Sequence, residues 1–162
     1  MKLSRKILLG LLAVVIIGQF LRPQKNISPQ RITDEDISKT YAIPENVHKV
    51  LIDKCYDCHS NNTRYLWYYN IQPVGWWMAY HVSEGKRHLN FSAFKSYSEH
   101  KKIDKLEELS KSVTEGWMPL DNYLWMHKEA KVTPEETAAI NQWITSLGIN
   151  INAEEDEDEH NH

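Results

Sequence analysis

The segment Cys55-Tyr56-Asp57-Cys58-His59 restricts what this chain can become more than any other. Its two cysteines are the only ones among 162 residues, so no disulfide framework organises the fold. Two thiols three residues apart at a helix end can reach the two vinyl groups on one edge of a porphyrin. The next residue then sits below the ring, where the His59 imidazole can bind iron through Nε2. Covalent attachment holds the ring without a large preformed pocket, so a small domain suffices. The pattern therefore predicts one covalently attached c-type haem, bonded at Cys55 and Cys58, with His59 as an axial ligand. Competing chemistries ask for more than the chain offers. A thioredoxin-like pair follows a strand in a βαβ setting, whereas a helix is read here. A zinc site needs two further ligands, for which His81 and His88 are the candidates. A plain disulfide between the two thiols is the third alternative.

A second iron ligand is sought on a loop that can cover the other face of the ring. Gly116-Trp117-Met118-Pro119 offers the Met118 thioether on such a loop, some 60 residues beyond His59. Thioether sulfur stabilises ferrous iron, so a His/Met pair raises the reduction potential. Met78 and Met126 are alternatives, and His81, His88 or His127 would give bis-histidine ligation. A methionine among aromatics also serves as ordinary core filler.

Periodicity places these residues on helices. Pro44 and Glu45 open a helix in which Val47, Val50, Leu51 and Cys55 share a face, and this helix delivers the cysteine pair. Residues 60–72 are polar and then aromatic, and read as irregular chain. Pro73 opens a short helix through Trp76, Trp77, Met78, Tyr80 and His81, ending near Gly85. Residues 101–113 form another, with Ile103, Leu106, Leu109 or Ser110, and Val113 on one side, closed by Gly116. Thr133-Pro134-Glu135-Glu136 is a capping box with proline at the first helical position. Ala139, Ile140, Trp143, Ile144 and Leu147 then form an apolar stripe that Gly148 ends. No run alternates with period two, so the predicted class is all-α.

The termini complete the division of the chain. Residues 1–22 carry Lys2, Arg5, Lys6 and Arg22, no acid, and an uncharged apolar run from Ile7 to Leu21. This reads as an uncleaved signal anchor in a bacterial inner membrane, with the rest in the periplasm, although 15 residues span only ~22 Å of a ~30 Å hydrocarbon core. A cleaved signal peptide and a soluble periplasmic protein are the alternative. Residues 23–42 read as a linker, 43–150 as the haem domain and 151–162 as an acidic, disordered tail holding Glu154 to Glu159. Between the charged ends the chain is nearly neutral, which excludes the concentrated basic face of a nucleic-acid binder.

Several of these residues resemble one known family. Cys55-Tyr56-Asp57-Cys58-His59-Ser60-Asn61, Tyr65-Leu66-Trp67-Tyr68, Gly116-Trp117-Met118-Pro119-Leu120, Tyr123, His127 and Thr133-Pro134-Glu135-Glu136 are similar to the haem-binding-domain family, small membrane-tethered monohaem cytochromes of bacteria. The likeness runs over about residues 40–148. It implies a compact helical fold like that of class I cytochromes c, with the helix entering the cysteines crossing the last helix near Trp143. It also implies haem c held by Cys55, Cys58 and His59, with Met118 as the distal ligand. The aromatic stretch from Trp67 to Tyr80 departs from ordinary class I cytochromes. The expected function is a membrane-anchored, extracytoplasmic electron carrier rather than an enzyme, exchanging electrons with a dehydrogenase, an oxidase or another cytochrome. The alternatives are a haem enzyme or a gas or redox sensor with an open distal site, and a module tethering a larger respiratory complex.

Overall fold

A computed structural model describes residues 3–151, and the acidic run read as a tail lies outside the described residues. The described chain is helical, with one isolated antiparallel bridge, Ile27 to Asn62, and no strand. Seven α-helices follow one another: α1 (Leu3–Gly18), α2 (Glu45–Val50), α3 (Tyr56–His59), α4 (Val74–His88), α5 (Glu99–Thr114), α6 (Asp121–Leu124) and α7 (Pro134–Ser146). Short turns of tighter helix lie between several of them.

The reading of residues 1–22 as a single-pass inner-membrane anchor is overturned. Among the described residues, no helix is long and apolar enough to cross a membrane. Helix α1 has 16 residues, which at 1.5 Å each extend ~24 Å against a ~30 Å hydrocarbon core. Beyond Gly18 the chain is fastened to the domain rather than extended. Gln19 and Gln72 exchange hydrogen bonds: the Gln19 amide donates to the Gln72 carbonyl at 3.2 Å, and the Gln72 backbone N–H donates back at 2.9 Å. The Trp76 indole donates to the Leu21 carbonyl at 2.6 Å, and the Tyr69 hydroxyl to that of Pro23 at 3.1 Å.

The stretch 23–42, aperiodic in sequence, is held by polar side chains. The Asn26 amide donates to the Ser60 carbonyl and the Thr63 hydroxyl at 2.8 and 3.0 Å, while Lys86 of α4 donates to the Asn26 oxygen at 2.6 Å. Asp36 is fully buried; it caps the turn Ile37–Lys39 and accepts from the Tyr56 hydroxyl at 3.1 Å. Ile37 joins the core.

That core forms where α2 and α5 pack on α7. Val47, Val50, Leu51 and Tyr56 meet Leu106, Leu109 and Val113 across Ile140, Trp143 and Ile144, and Phe91 and Phe94 fill the side. The Trp143 indole donates to the Ala42 carbonyl at 3.2 Å, which places α7 against the entry to α2. Ile103, grouped with the apolar stripe of α5 by spacing, is exposed. Both halves of the capping box form: Glu136 N–H donates to the Thr133 hydroxyl at 3.3 Å, and Thr133 N–H to the Glu136 carboxylate at 2.8 Å. Helix α4 does not stop near Gly85 but runs on to His88.

Candidate functional site

The rod that carries the cysteines changes pitch as it reaches them. Between α2 and α3, residues Leu51–Cys55 form a π-helical turn, and the Tyr56 N–H bonds the Leu51 carbonyl five residues back. Such turns insert a residue into an α-helix and recur at functional sites. Cys55 sits at the seam, with φ −117°, and Cys58 lies three residues on, along the same face. Lys54 fixes the approach by donating to the Lys131 carbonyl at 2.7 Å and the Glu136 carboxylate at 2.6 Å, at the start of α7.

Both thiols are free and half-buried. Burial, with the neighbouring Cys58, pushes Cys55 up to about 12; burial, with the Asp57 charge, pushes Cys58 up to about 11. Both sulfurs therefore keep their protons at neutral pH in the haem-free chain. Among the described residues, no three His, Cys, Asp or Glu side chains group so as to hold a metal ion. With its pKa at about 11, Cys58 holds a thiolate fraction on the order of 100-fold below that of an ordinary thiol. Alkylation of Cys58 in the haem-free chain at pH 8, followed by mass spectrometry, should be slower by about that factor and speed up as pH rises. Labelling at the rate of a free thiol would contradict the burial.

His59 is oriented by Leu89, the residue that caps α4. Its Nδ1 lies 3.0 Å from the Leu89 carbonyl. A carbonyl only accepts, so Nδ1 carries the proton and Nε2 offers its lone pair. Burial lowers the imidazole's pKa and favours this neutral form. Phe91 meets the ring edge-on at 6.2 Å and stacks on Tyr56 at 5.1 Å. Helix α4 comes this close because Gly85 faces Cys58: a Cβ there would lie 2.6 Å from the Cys58 carbonyl oxygen.

The facing wall comes from the chain after α5. Gly116 adopts φ 76°, a left-handed conformation suited to glycine, and turns the backbone out of the helix. The Met118 N–H then donates to the Ser112 carbonyl at 3.3 Å. Cys55, Cys58, His59 and Met118 all border one cavity of about 560 Å³, whose other walls include Val82, Leu89, Phe91, Leu109, Val113 and Leu120. Met78, His81 and His88 also border it. Met126 does not; it is exposed. His127 borders the cavity, yet both its ring nitrogens are engaged, Nε2 by the Tyr68 hydroxyl at 2.5 Å and Nδ1 by the Glu129 carboxylate at 3.3 Å.

The cavity's two walls are joined by a residue that motif reading passes over. Asp57, one of the two positions between the cysteines, is buried and accepts from the Arg64 backbone N–H at 3.0 Å, the Arg64 guanidinium at 3.0 Å and the Tyr123 hydroxyl at 2.9 Å. Tyr123 lies on α6, beyond Met118, and stacks on His127 at 4.3 Å. The spacing of four between Tyr123 and His127 was the available signal, since residues that far apart share a helical face.

A family profile for the haem-binding domain matches residues 13–146. The chain belongs to the haem-binding-domain family. No curated protein and no solved structure matches it. The donor set of this haem-binding domain suits the group. Apolar walls match the faces of a porphyrin, and an imidazole held through Nδ1, two thiols and a thioether stand on the same cavity. The Asn122 side-chain oxygen, also on the wall, is buried with no hydrogen-bond partner. Such an orphan is what a bound polar group would satisfy.

Proposed function

We propose that this haem protein is a monohaem c-type cytochrome that passes single electrons between protein partners. One observation carries the reading: two thiols, an imidazole held through Nδ1 by the Leu89 carbonyl, and a thioether border the same apolar cavity. Cys55 and Cys58 would hold the group through thioether bonds. Each S–H adds across a vinyl double bond, sulfur to one carbon and hydrogen to the other, with no change in oxidation state overall. His59 and Met118 would hold the iron. Once bound there, haem supplies a one-electron ferric/ferrous couple.

The chain's own residues set how that couple behaves. The Leu89 carbonyl keeps the His59 ring from turning, and the left-handed turn at Gly116 fixes where Met118 emerges. Ligands held this way change little between oxidation states, which keeps reorganisation small. Thioether ligation and the water-excluding walls both favour the ferrous form. The partners would be other redox proteins, a dehydrogenase, an oxidase or another cytochrome. Trp117 and Trp125, 50% and 77% exposed beside the Met118 loop, offer them apolar contact.

A visible spectrum of the haem-loaded protein tests the carrier reading. The oxidised form should show the weak red charge-transfer band of methionine–iron ligation, and the reduced form should resist carbon monoxide. Rapid carbon monoxide binding would contradict it and favour a haem enzyme or sensor with an open sixth position.

A further inference from the structure

One buried polar cluster on the cavity wall is not among the groups proposed above to hold haem. His127 is 6% exposed and borders the cavity. Its Nδ1 faces the Glu129 carboxylate at 3.3 Å and its Nε2 faces the Tyr68 hydroxyl at 2.5 Å. An ionised carboxylate only accepts, so Nδ1 carries a proton, whereas a hydroxyl can donate or accept. A neutral imidazole therefore receives the Tyr68 hydrogen at Nε2. An imidazolium gives its Nε2 hydrogen to the same oxygen. Both protonation states find partners with every heavy atom in place. The Glu129 side chain is 74% exposed, so the cluster also reaches solvent protons.

The charges around the ring come from four directions. Glu129 lies on the turn Lys128–Ala130, whose Lys128 is exposed. Asp57 of α3 is reached through Tyr123 of α6, which stacks on the ring at 4.3 Å and 13° and donates to that carboxylate. Arg64, on the loop after α3, pairs with Asp57 at 3.0 Å. Burial and the nearby carboxylates raise the pKa of Tyr68 and Tyr123, so both phenols are neutral. Asp57 is paired with the exposed Arg64, so Glu129 is the carboxylate that meets the His127 ring directly.

We infer that the protein carries a proton together with its electron: His127 takes up a proton when the bound haem is reduced and releases it on oxidation. The inference rests on the haem-carrier reading above. The balance is simple. A donor protein supplies one electron, water supplies one proton to the Nε2 lone pair, and no covalent bond to carbon is made or broken. An added electron removes one positive charge from a cavity of low dielectric that the imidazole borders, so the reduced state binds the proton more tightly.

Spectroelectrochemistry from pH 5 to 9 on the haem-loaded protein, and on its H127Q variant, tests this. In the wild type the midpoint potential should stay flat at low pH, where both states hold the proton. It should fall through a middle window and level off where neither state does. A roughly tenfold tighter proton in the reduced state corresponds to about 59 mV across that window for a one-electron couple. In H127Q the curve should be flat. Should H127Q not take up haem, nitrogen NMR of the wild-type His127 ring decides, with a higher titration midpoint in the ferrous state expected. A merely structural His127 would shift the potential without changing its pH dependence. A flat wild-type curve, a slope retained in H127Q, or equal midpoints in the two states would overturn the inference. Absence of any one-electron haem couple would instead sink the carrier reading beneath it.

Discussion

Met118→Ala is expected to leave the haem attached but open to ligands, with carbon monoxide binding rapidly to the reduced form. On the reading proposed above, attachment depends on Cys55 and Cys58, on the rod formed by α2 and α3, and not on the loop after α5. The alanine removes the thioether while the left-handed turn at Gly116 keeps the loop's path. Losing a ligand that favours ferrous iron should lower the midpoint potential by on the order of 0.1 V, within the ~0.8 V range that axial ligation sets. The red charge-transfer band should vanish as well. Met126→Ala is the control, because Met126 is exposed and off the cavity. A Met118→Ala protein with unchanged spectrum and potential would move the ligand to Met78 or to a histidine on the wall.

Gly85→Ala should damage the site without touching any group that binds haem. The new Cβ would lie 2.6 Å from the Cys58 carbonyl oxygen and 3.1 Å from its carbon, so α4 has to move away from α3. Backbone atoms cannot swing aside as a flexible side chain does. One turn further on, the Leu89 N–H bonds the Gly85 carbonyl and the Leu89 carbonyl holds His59. A displaced α4 therefore releases the imidazole. Overpacking of this kind costs about 1–3 kcal/mol. Thermal unfolding of the haem-free chain should show a melting temperature several degrees lower, and haem incorporation in vivo should fall. Gly10→Ala, with nothing within 4 Å of the new Cβ, should do neither. Equal behaviour of the two variants would refute the role given to the α4 contact.

Gly85 also shows why only part of the structure is legible in the sequence. Glycine ends helices and also permits close approach, and nothing along the chain separates these uses. Only its contact with Cys58 shows why α4 runs past it to His88. Caps are different: Thr133 and Glu136 satisfy each other within one turn, so the local sequence is enough to place α7. Residues 23–42 look like a linker because Asn26 and Asp36 hold them by hydrogen bonds, which leave no hydrophobic period. At the N-terminus the basic flank and apolar run are plain in the sequence, but the length of α1 decides against a span. Cys55, Cys58, His59 and Met118 stand out by residue type and spacing, whereas their meeting on one cavity is a property of the fold. Asp57 carries no signal of its own inside the motif, and its bonds to Arg64 and Tyr123 appear only when three segments come together.

The central claim is tested most directly by the mass of the intact chain, denatured after production in a host that assembles c-type cytochromes. A pyridine haemochrome spectrum of the same sample identifies the group. One haem per chain should survive denaturation, and it should be missing from the C55A/C58A double variant. An unmodified mass, or haem that extracts freely into acidified solvent, would contradict covalent attachment at Cys55 and Cys58.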